Sequence, residues 1–460
     1  MSFNWQPHDY QKKAIQFMVS RACAGLFLDP GLGKTAITYA AFNLLRKLKM
    51  VRTMLVIAPL RPAQSTWPAE ARKWIGFNGL KVVVLHGPNK DALLKAGADV
   101  FIINPEGLAW FTSACKIFPD VLVVDESTRF KHHNTLRFKL LRAVLPRFKR
   151  RYILTGSPAP NGLLDLFGQV FVLDLGESLG RYITHYRMKY FNQVGFGGFT
   201  WVPKLGADKE IYKKLAPYVL HMSAEDYLDL PPLLGVLPGT KENPANIVEV
   251  ELPAKAMKIY REMERLLIAK LESGEVTAAN ASVAAGKCRQ IANGGVYGAT
   301  TEDRTNIHTA KIEAVQELVE ELQGTPALVA YEFQHDLDRL RTAFPDAPVL
   351  GGGVTNREFR AVEARWNAGE IPVLLAQPQS VAHGLNLQGT KAHVIWHSLT
   401  HNLEFYEQFI DRVHRQGQEH RVLVHHIVAK GTVDEAIIKA VSKKDRTQQA
   451  LLTALREHYR

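Results

Sequence analysis

The chain has 460 residues, of which 46% are hydrophobic and 22% are charged, a composition typical of a soluble globular protein and not of a disordered chain or a helical rod. Its 57 Lys and Arg against 45 Asp and Glu give a net charge of +12, which favours a polyanionic partner such as nucleic acid, or else a small anionic substrate. No run of about 18 apolar residues, no apolar signal core and no zinc-spaced cysteine pair occurs, so a reducing, cytoplasmic setting without a membrane fits.

Short apolar segments alternate with helical segments along the first half of the chain. Runs of Val, Ile and Leu bounded by polar residues predict buried strands at Leu26–Leu28, Met54–Ala58, Val82–Leu85, Val100–Ile103, Val121–Val124 and Tyr152–Leu154. The segments Ala36–Lys49 and Thr66–Ile75 are predicted to be helices. Strands that alternate with helices indicate a parallel sheet covered on both faces.

The second half repeats this architecture without repeating the sequence. Strands are predicted at Ala327–Ala330, Pro348–Leu350, Val373–Ala376, His393–Trp396 and Val422–Ile427, and helices at Lys311–Leu322, Asp336–Ala343, Arg357–Asn367 and Leu403–His414. We therefore expect an α/β fold of two lobes, residues 1–225 and 247–460, joined by a Pro- and Gly-rich linker at 226–246.

A glycine-rich loop, Asp29–Thr35, follows the first strand and opens a helix, which is the setting of a phosphate loop. Gly31 and Gly33 let the backbone wrap closely around phosphate oxygens, and the N–H groups at the start of the helix point at the anion. Lys34 suits the β- and γ-phosphates, and the Thr35 hydroxyl suits Mg²⁺. Leu28 replaces the first glycine of the usual pattern; a chance Gly-rich turn is the weaker alternative.

Two acids follow the strand Val121–Val124 directly. Asp125 and Glu126 are therefore expected at the carboxyl edge of the sheet, where ligands bind in open α/β folds. Asp125 suits Mg²⁺, and Glu126 suits the attacking water. The alternative is a solvated acidic turn, which a phosphate loop upstream makes much weaker.

Two arginines, Arg412 and Arg415, are three residues apart, so on a helix they share a face. Paired guanidinium groups suit the charge that develops on a γ-phosphate during its transfer. From spacing alone, a solvated cationic helix face is the more common reason for such a pair.

The order of these segments resembles that of superfamily 2 helicases, specifically the Snf2-related branch. The segments that resemble its motifs, in chain order, are His8–Gln11 for the adenine-side glutamine motif, Asp29–Thr35 for motif I, Ile57–Leu60 with Trp67 and Glu70 for motif Ia, Asp125–Thr128 for motif II, Leu154–Pro158 for motif III, Gly384–Leu387 for motif V and Asp411–Gln418 for motif VI. Cys288–Ile291 and Gly431–Glu435 are weaker echoes, so the resemblance covers nearly the whole chain.

The resemblance implies two RecA-like lobes and an ATP site with Mg²⁺. The residues that it assigns to nucleotide, metal or catalysis are Gln11 at adenine, Gly31, Gly33, Lys34 and Thr35 at the triphosphate, Thr35 and Asp125 at Mg²⁺, Glu126 at the water, Gln408 at the nucleotide, and Arg412 and Arg415 arriving from the second lobe. It implies contacts of the nucleic-acid backbone with Pro59, Asn104, Thr355, Gly384 and Asn386, which are blind to base sequence.

Motif II departs from the family pattern. It is Asp-Glu-Ser-Thr, where the family usually has Ala followed by His or Gln. Asp125 and Glu126 are kept, so hydrolysis should survive. Ser127 and Thr128 occupy the positions that help to link ATP state to motif III, so this coupling is the part that the sequence puts in question.

Other basic and aromatic segments could add to a nucleic-acid track. The basic clusters are Lys131–His133, Arg147–Arg151 and Lys443–Arg446, each of which is more often just a solvated surface. An aromatic stripe over Tyr182–Phe191 could stack on bases, although core packing is the commoner reason for such a pattern. Gln193–Phe199 is predicted to be an exposed loop.

Together these features predict a monomeric ATP-dependent DNA motor that acts on duplex or forked DNA. The compact chain resembles bacterial or bacteriophage members, so the expected location is the cytoplasm of a bacterial or phage-infected cell. The alternatives are a fork-remodelling, strand-separating helicase, an RNA-directed helicase, which motif VI disfavours, and a nucleic-acid-binding scaffold with an inactive ATPase. Intact Lys34, Asp125 and Glu126 argue against the scaffold.

Overall fold

The computed structural model describes residues 3–194, 200–272, 278–298, 300–381 and 385–444. The chain divides into two compact units, with the change from the first to the second between Asp229 and Leu230. This point lies inside the predicted linker, and Leu233–Leu234 within that linker already forms a strand of the second unit's sheet. None of the helices in the described part of the chain combines the length and apolar character that a membrane crossing requires.

The first unit contains nine strands and ten α-helices in its described part. The strands are β1 Cys23–Leu28, β2 Met54–Ile57, β3 Val82–Val84, β4 Val100–Ile103, β5 Val121–Asp125, β6 Arg150–Thr155, β7 Phe191–Val194, β8 Thr200–Pro203 and β9 Val219–Met222. The helices are α1 Asp9–Val19, α2 Lys34–Lys47, α3 Leu60–Gln64, α4 Thr66–Lys73, α5 Lys90–Lys95, α6 Leu108–Ala114, α7 Leu136–Val144, α8 Leu166–Asp174, α9 Ile183–Tyr190 and α10 Ala207–Leu215.

Seven of these strands form one parallel sheet in the order β3-β4-β2-β5-β6-β1-β9. Its strands are nearly continuous runs of buried Val, Ile and Leu, because helices cover both faces. Alternate residues of a strand face opposite layers: Leu122 and Val124 pack with α6 to α9, whereas Val121 and Val123 pack with α1, α2 and α4.

The register of this sheet brings three predicted motifs to one edge. Phe27 in β1 lies opposite Thr155 in β6, and Leu154 in β6 lies opposite Asp125 in β5. The carboxyl ends of β1, β5 and β6 are therefore neighbours. The phosphate loop, the two acids and motif III follow these three strand ends, at the edge where open parallel sheets bind ligands.

The described part of the second unit contains nine strands and seven helices. The strands are β10 Leu233–Leu234, β11 Ile247–Val250, β12 Gly295–Tyr297, β13 Arg304–Asn306, β14 Ala327–Ala330, β15 Val349–Leu350, β16 Val373–Ala376, β17 His393–Trp396 and β18 Val422–Ala429. The helices are α11 Ala254–Glu272, α12 Ala278–Asn293, α13 Ala310–Glu321, α14 Gln334–Ala343, α15 Asn356–Asn367, α16 Pro378–Val381 and α17 Leu403–Ile410. A parallel sheet runs β10-β18-β17-β14-β16-β15, and β11 also pairs with β18.

The predicted fold class, an α/β protein with two mostly parallel sheets flanked by helices, is confirmed. All eleven strands predicted from apolar runs are present. The prediction for α17 was wrong at its end, because the helix stops at Ile410 and not at His414. Val413, three residues later, is fully buried, so tertiary packing bends the chain where local sequence offers no helix breaker.

The aromatic stripe serves mainly as core. Tyr186, Tyr190 and Phe191 are buried in the first unit, whereas Tyr182 is exposed. β7 and β8 form a separate antiparallel hairpin after α9. Residues 195–199, which contain most of the predicted exposed loop, lie outside the described residues.

Candidate active site

The phosphate loop connects β1 to α2 and takes its shape from two glycines. Gly31 has φ 89° and Gly33 has φ 81°, a region that L side chains rarely adopt. Gly33 occupies the N-cap of α2, so no side chain covers the N–H groups of the helix's first turn. A Cβ on Gly33 would lie 2.7 Å from Nε2 of Gln11, so the loop has room only for glycine there.

Gln11 holds this loop from α1. Its Nε2 donates a 3.3 Å hydrogen bond to the carbonyl oxygen of Leu32, and its Oε1 accepts one of 3.1 Å from the N–H of His8. The side chain is buried. The residue predicted to contact adenine thus also fixes the loop that surrounds phosphate.

Asp29 anchors the other end of the loop to the residues that follow β9. Its Oδ2 accepts hydrogen bonds from the N–H of Ala224 at 2.9 Å and the hydroxyl of Ser223 at 3.2 Å. Gly156 of motif III packs on the same loop, since a Cβ there would lie 3.2 Å from Cδ of Pro30. The loop is therefore held from three directions.

Lys34 is the first residue of α2, and its side chain reaches back to the carboxyl end of β1. Its Nζ donates a 2.6 Å hydrogen bond to the carbonyl oxygen of Leu28 and a 3.4 Å one to that of Asp29. Its positive charge also acts on Asp125, where it opposes the effect of burial on the carboxyl group. The lysine and the acid of the predicted site are thus electrostatic neighbours.

Asp125 is held in place by an indole. Its Oδ2 accepts a 2.9 Å hydrogen bond from Nε1 of Trp67 in α4, and its Oδ1 accepts one of 3.1 Å from the N–H of Glu126. Burial raises the pKa of Asp125, while the Trp67 hydrogen bond and then the Lys34 charge act in the opposite direction. Glu126 has φ 50°, an uncommon value for a residue with a side chain.

The altered residues of motif II are tied to motif III through α8. The hydroxyl of Ser127 donates a 2.7 Å hydrogen bond to Oε1 of Gln169, and Nε2 of Gln169 donates 2.7 Å and 2.9 Å hydrogen bonds to the carbonyl oxygens of Pro158 and Asp165. Ser127 and Gln169 are fully buried. Gly168 lets the helix come this close, because a Cβ there would lie 2.2 Å from the carbonyl oxygen of Phe130.

A second contact between the same segments is ionic. Asp165, just before α8, accepts hydrogen bonds at Oδ2 from the N–H of Asn161 at 3.0 Å and from its side-chain amide at 3.1 Å. The same oxygen lies 3.5 Å from Nζ of Lys131, which follows motif II. Gln169 in α8 and Asp165 just before it therefore connect the motif II region to the motif III region at two points.

In the second unit, Arg412 and Arg415 follow α17 and lie in turns. They still meet, because Nη1 of each reaches the carbonyl oxygen of Leu385, at 3.2 Å and 3.4 Å. Nε of Arg412 donates to the carbonyl oxygen of Gln408 at 3.2 Å. The expectation of a shared helix face was wrong, but the two guanidinium groups converge on one acceptor.

Burial and the neighbouring Arg412 charge lower the pKa of Arg415 to about 10. Glu363 of α15 lies near both arginines, and its Oε1 accepts a 2.6 Å hydrogen bond from the N–H of Asn386. Burial raises the pKa of Glu363, which the Asn386 hydrogen bond and the arginine charges oppose. Oε1 of Gln408 is buried without a hydrogen-bond partner in the described part of the chain.

Comparison with known families decides the identity of this arrangement. A family model described as the SNF2-related domain matches residues 10–293, more than half of the chain, and one described as the helicase conserved C-terminal domain matches residues 310–417. The chain belongs to the SNF2-related family. The predicted resemblance to this branch is confirmed, and the protein is an ATP hydrolase of superfamily 2.

Relatives of this SNF2-related protein include protein p41 of the Acyrthosiphon pisum secondary endosymbiont phage 1, which is 35% identical over 98% of both chains. The human DNA annealing helicase and endonuclease ZRANB3 is 23% identical over 97% of this chain, and the yeast ISWI chromatin-remodeling complex ATPase ISW2 is 22% identical over 96% of it. The chain spans 40% of the length of each of these two eukaryotic relatives. The Sulfolobus solfataricus SWI2/SNF2 ATPase core in complex with dsDNA matches with a TM-score of 0.46 and 20% identity over 98% of this chain and 94% of that one.

Three residues of this SNF2-related protein that were predicted to contact nucleic acid lie at strand or helix ends. Pro59 is buried where β2 meets α3, and Nδ2 of Asn104 donates a 2.7 Å hydrogen bond to Glu106. Thr355 caps α15, with its hydroxyl 2.7 Å from Oε2 of Glu358. Asn386 is exposed, and Gly384 lies outside the described residues.

The residues of the first unit fit a nucleotide and its metal. A phosphate group suits the glycine cradle, which a Cβ at Gly33 would fill, and the N–H groups of α2. Asp125 offers a carboxylate oxygen as a metal ligand, and the indole N–H of Trp67 holds this carboxylate in place. Carboxylates held in this way suit hard cations such as Mg²⁺.

The sequence did not predict the residues that position the site residues. Trp67 was recognised within motif Ia but not as the partner of Asp125, and Asp165 and Glu363 gave no signal. Gln169 did give one, because it is the single amide in the apolar run Leu166–Leu173. A polar group in a fully buried helix requires a partner.

Proposed function

We propose that the protein is an ATP-dependent DNA motor, a DNA-stimulated ATPase that moves along DNA as a translocase or helicase. The observation that supports this most directly is the meeting of Lys34, Asp125 and the motif III loop at one edge of the first sheet. ZRANB3, a relative over nearly all of this chain, is named a DNA annealing helicase, which supports DNA as the track.

In the proposed ATP site, the backbone at Gly31 and Gly33 surrounds the phosphates and Lys34 neutralises their charge. Thr35 and Asp125 would hold Mg²⁺, which supplies charge neutralisation on the β- and γ-phosphates when bound. The remaining proposed nucleotide contacts are Gln11 at the adenine, Glu126 at the attacking water and Gln408 of motif VI.

Arg412 and Arg415 are proposed to stabilise the charge that develops on the γ-phosphate. Their convergence on the Leu385 carbonyl supports this role, because it presents two cations together. Holding two like charges adjacent and buried costs free energy. An anion that binds between them offsets this cost.

The proposed DNA contacts are Pro59, Asn104, Thr355, Gly384 and Asn386. They would act on the phosphate backbone, which suits a motor that must pass over any base sequence. We further propose that the protein works as a monomer in the cytoplasm of a bacterial or phage-infected cell, a setting that the phage relative p41 supports.

The test is the ATPase rate without nucleic acid and with single-stranded DNA, duplex DNA, forked DNA or RNA, at one salt concentration, because phosphate binding depends steeply on salt. We expect duplex or forked DNA to stimulate hydrolysis, and Lys34→Ala to abolish both basal and stimulated rates. Lys47→Ala, an exposed lysine at the other end of α2, is the matched control. The proposal would be contradicted if RNA alone stimulated hydrolysis, or if none of the nucleic acids did.

A further inference from the structure

The first unit carries a basic segment outside its main sheet. Between Glu177 and Asp208 the sequence contains no Asp or Glu, yet it contains Arg181, Arg187, Lys189 and Lys204. It folds as α9 followed by the antiparallel hairpin β7–β8. Nζ of Lys189 pairs with Glu210 of α10 at 2.7 Å. The segment itself supplies no carboxylate to neutralise its other cations.

Arg187 is positioned by an aromatic ring and not by an acid. Its guanidinium carbon lies 5.4 Å from the ring centroid of Trp201 in β8, and its Nε is buried without a hydrogen-bond partner among the described residues. An indole ring attracts a cation but has no net negative charge, so it does not neutralise the guanidinium as a carboxylate would. The pair therefore places a positive charge beside a half-buried indole ring.

The positive potential extends beyond α9. Burial, and after it the charges of Arg187, His132, Arg142 and Lys139, lower the pKa of His133. These groups come from α9, from α7 and from the segment that follows motif II. Cations of α7 and of the segment after motif II thus act on the same histidine as Arg187.

Apolar side chains stand exposed among these cations. Tyr182, the residue before α9, is 58% exposed, Met188 in α9 is 69% exposed, and Val202 in β8 is 45% exposed. Below them the segment is firmly packed, since Tyr190 and Phe191 are buried. The exposed side chains are therefore held on a rigid base.

This base is connected to the ATP site. The hydroxyl of Tyr186 in α9 donates a 2.7 Å hydrogen bond to the carbonyl oxygen of Leu163, in the loop between motif III and α8. Nζ of Lys204 donates a 2.6 Å hydrogen bond to the carbonyl oxygen of Met188, which joins the hairpin to α9. A ligand on α9 would contact an element that is bonded to the chain after motif III.

We propose that the α9–hairpin surface, formed by Arg181, Tyr182, Arg187, Met188 and Trp201, binds DNA at a junction that exposes unpaired bases, as a fork does. Cations interleaved with exposed aromatic and apolar side chains suit a strand whose bases can stack and whose phosphates need neutralising. Blunt duplex offers the phosphates but not the base faces. This inference rests on the DNA-motor function proposed above and adds the structure of the DNA.

The test compares Arg181→Gln/Tyr182→Ala with Lys116→Gln/Ile117→Ala. The control pair is also an adjacent cation and exposed apolar side chain, but it lies outside the basic segment, in the chain that leads into the amino end of β5. The dissociation constants for forked and blunt DNA are measured by fluorescence anisotropy over a range of salt concentrations. Thermal unfolding of each variant reports whether it is folded.

We expect the Arg181→Gln/Tyr182→Ala variant to bind forked DNA about tenfold more weakly, with a smaller loss for blunt duplex. The slope of the logarithm of fork affinity against the logarithm of salt concentration should decrease in magnitude by about one, which corresponds to one phosphate contact. The control should match the wild type. Unchanged fork affinity, as expected if the surface serves a protein partner, would overturn the inference. Equal losses for fork and duplex would overturn its base-stacking part. A wild-type protein that binds no DNA would instead contradict the proposed function.

Discussion

The hydroxyl of Ser127 lies 2.7 Å from Oε1 of Gln169, and both residues are fully buried. Gln169 in turn donates to the carbonyl oxygen of Pro158 in motif III. The serine that replaces the usual alanine of motif II therefore has a dedicated partner, and that partner contacts motif III. The substitution that put coupling in question therefore connects the two motifs through Gln169.

Gln169→Leu should uncouple ATP hydrolysis from DNA. The change leaves the Ser127 hydroxyl and the Pro158 carbonyl without this partner, at a cost of about 1–3 kcal/mol of folding stability. We expect the DNA-stimulated ATPase rate to fall about tenfold and the DNA-free rate to fall less. Both rates and the thermal midpoint are measured, with Gln316→Leu, a half-buried glutamine of α13, as control.

The double variant Ser127→Ala/Gln169→Leu separates structure from coupling. Removing both polar partners should restore part of the stability lost in Gln169→Leu, because no buried hydroxyl is left unpaired. Stimulation by DNA should stay low. A Gln169→Leu protein that DNA stimulates as strongly as the wild type would show that this link does not carry coupling.

Trp67→Phe should weaken the use of Mg²⁺. The substitution removes the indole N–H that holds Oδ2 of Asp125. Loss of such an outer hydrogen bond typically costs about 10–100-fold in metal affinity or activity. We expect the Mg²⁺ concentration for half-maximal ATPase to rise about tenfold.

The control for this change is Trp366→Phe, which removes an equally buried indole N–H, 2.9 Å from the carbonyl oxygen of Leu387 in the second unit. It should lose stability as Trp67→Phe does, with no change in Mg²⁺ dependence. Equal Mg²⁺ dependence in both variants would contradict a positioning role for Trp67.

Arg415→Lys should lower kcat with little effect on ATP binding. A lysine keeps the charge but loses the planar fork of donors. If Arg415 acts on the developing charge of the γ-phosphate, kcat should fall by about 100-fold or more. Nucleotide affinity, measured with a fluorescent ATP analogue, should change less than about threefold.

Arg421→Lys, an exposed arginine just before β18, is the matched substitution and should leave kcat near the wild-type value. If Arg415→Lys weakened ATP binding without lowering kcat, the arginine would serve binding of the ground state and not the transition state.

The second unit should lose stability as the pH falls below neutral. Burial lowers the pKa of His426 to about 4, and its ring contacts the Tyr406 hydroxyl at 3.0 Å. Below the ordinary histidine pKa of about 6.5 the unfolded chain binds a proton that the folded chain takes up only near pH 4. The stabilisation is therefore complete above about pH 6.5 and is lost as the pH falls towards 4. His308 and His425 have pKa values lowered to about 4 for the same reason and should add to the loss.

Calorimetric unfolding at about pH 7.5 and about pH 5 tests this expectation. His426→Gln should be less stable than the wild type at the higher pH but should lose less on acidification. His86→Gln, in an exposed segment of the first unit, controls for the loss of a histidine as such. An identical pH dependence in His426→Gln and the wild type would rule out this histidine as a source of the effect.

The sequence was most informative where the structure is local. Apolar runs predicted the strands of both sheets, and the glycines before Lys34 predicted the phosphate loop, because each signal lies within a few neighbouring residues. The partners Trp67 and Asp125 are 58 residues apart, and Ser127 and Gln169 are 42 apart, so no local pattern could pair them. The early end of α17 likewise depends on the packing of Val413 and not on a helix breaker.

The order of strands also determines when the ATP site can first exist. β1, which leads into the phosphate loop, leaves the ribosome well before β6 and β9, which are its neighbours in the sheet. Its second neighbour is complete only at Met222, and Asp29 gains its partners at Ser223 and Ala224 just after that. Such non-local parallel pairing is slow, and domains fold as units during synthesis. A nascent chain therefore holds its nucleotide-binding segment unassembled through almost the whole synthesis of the first lobe, and products that end before this point should bind no ATP.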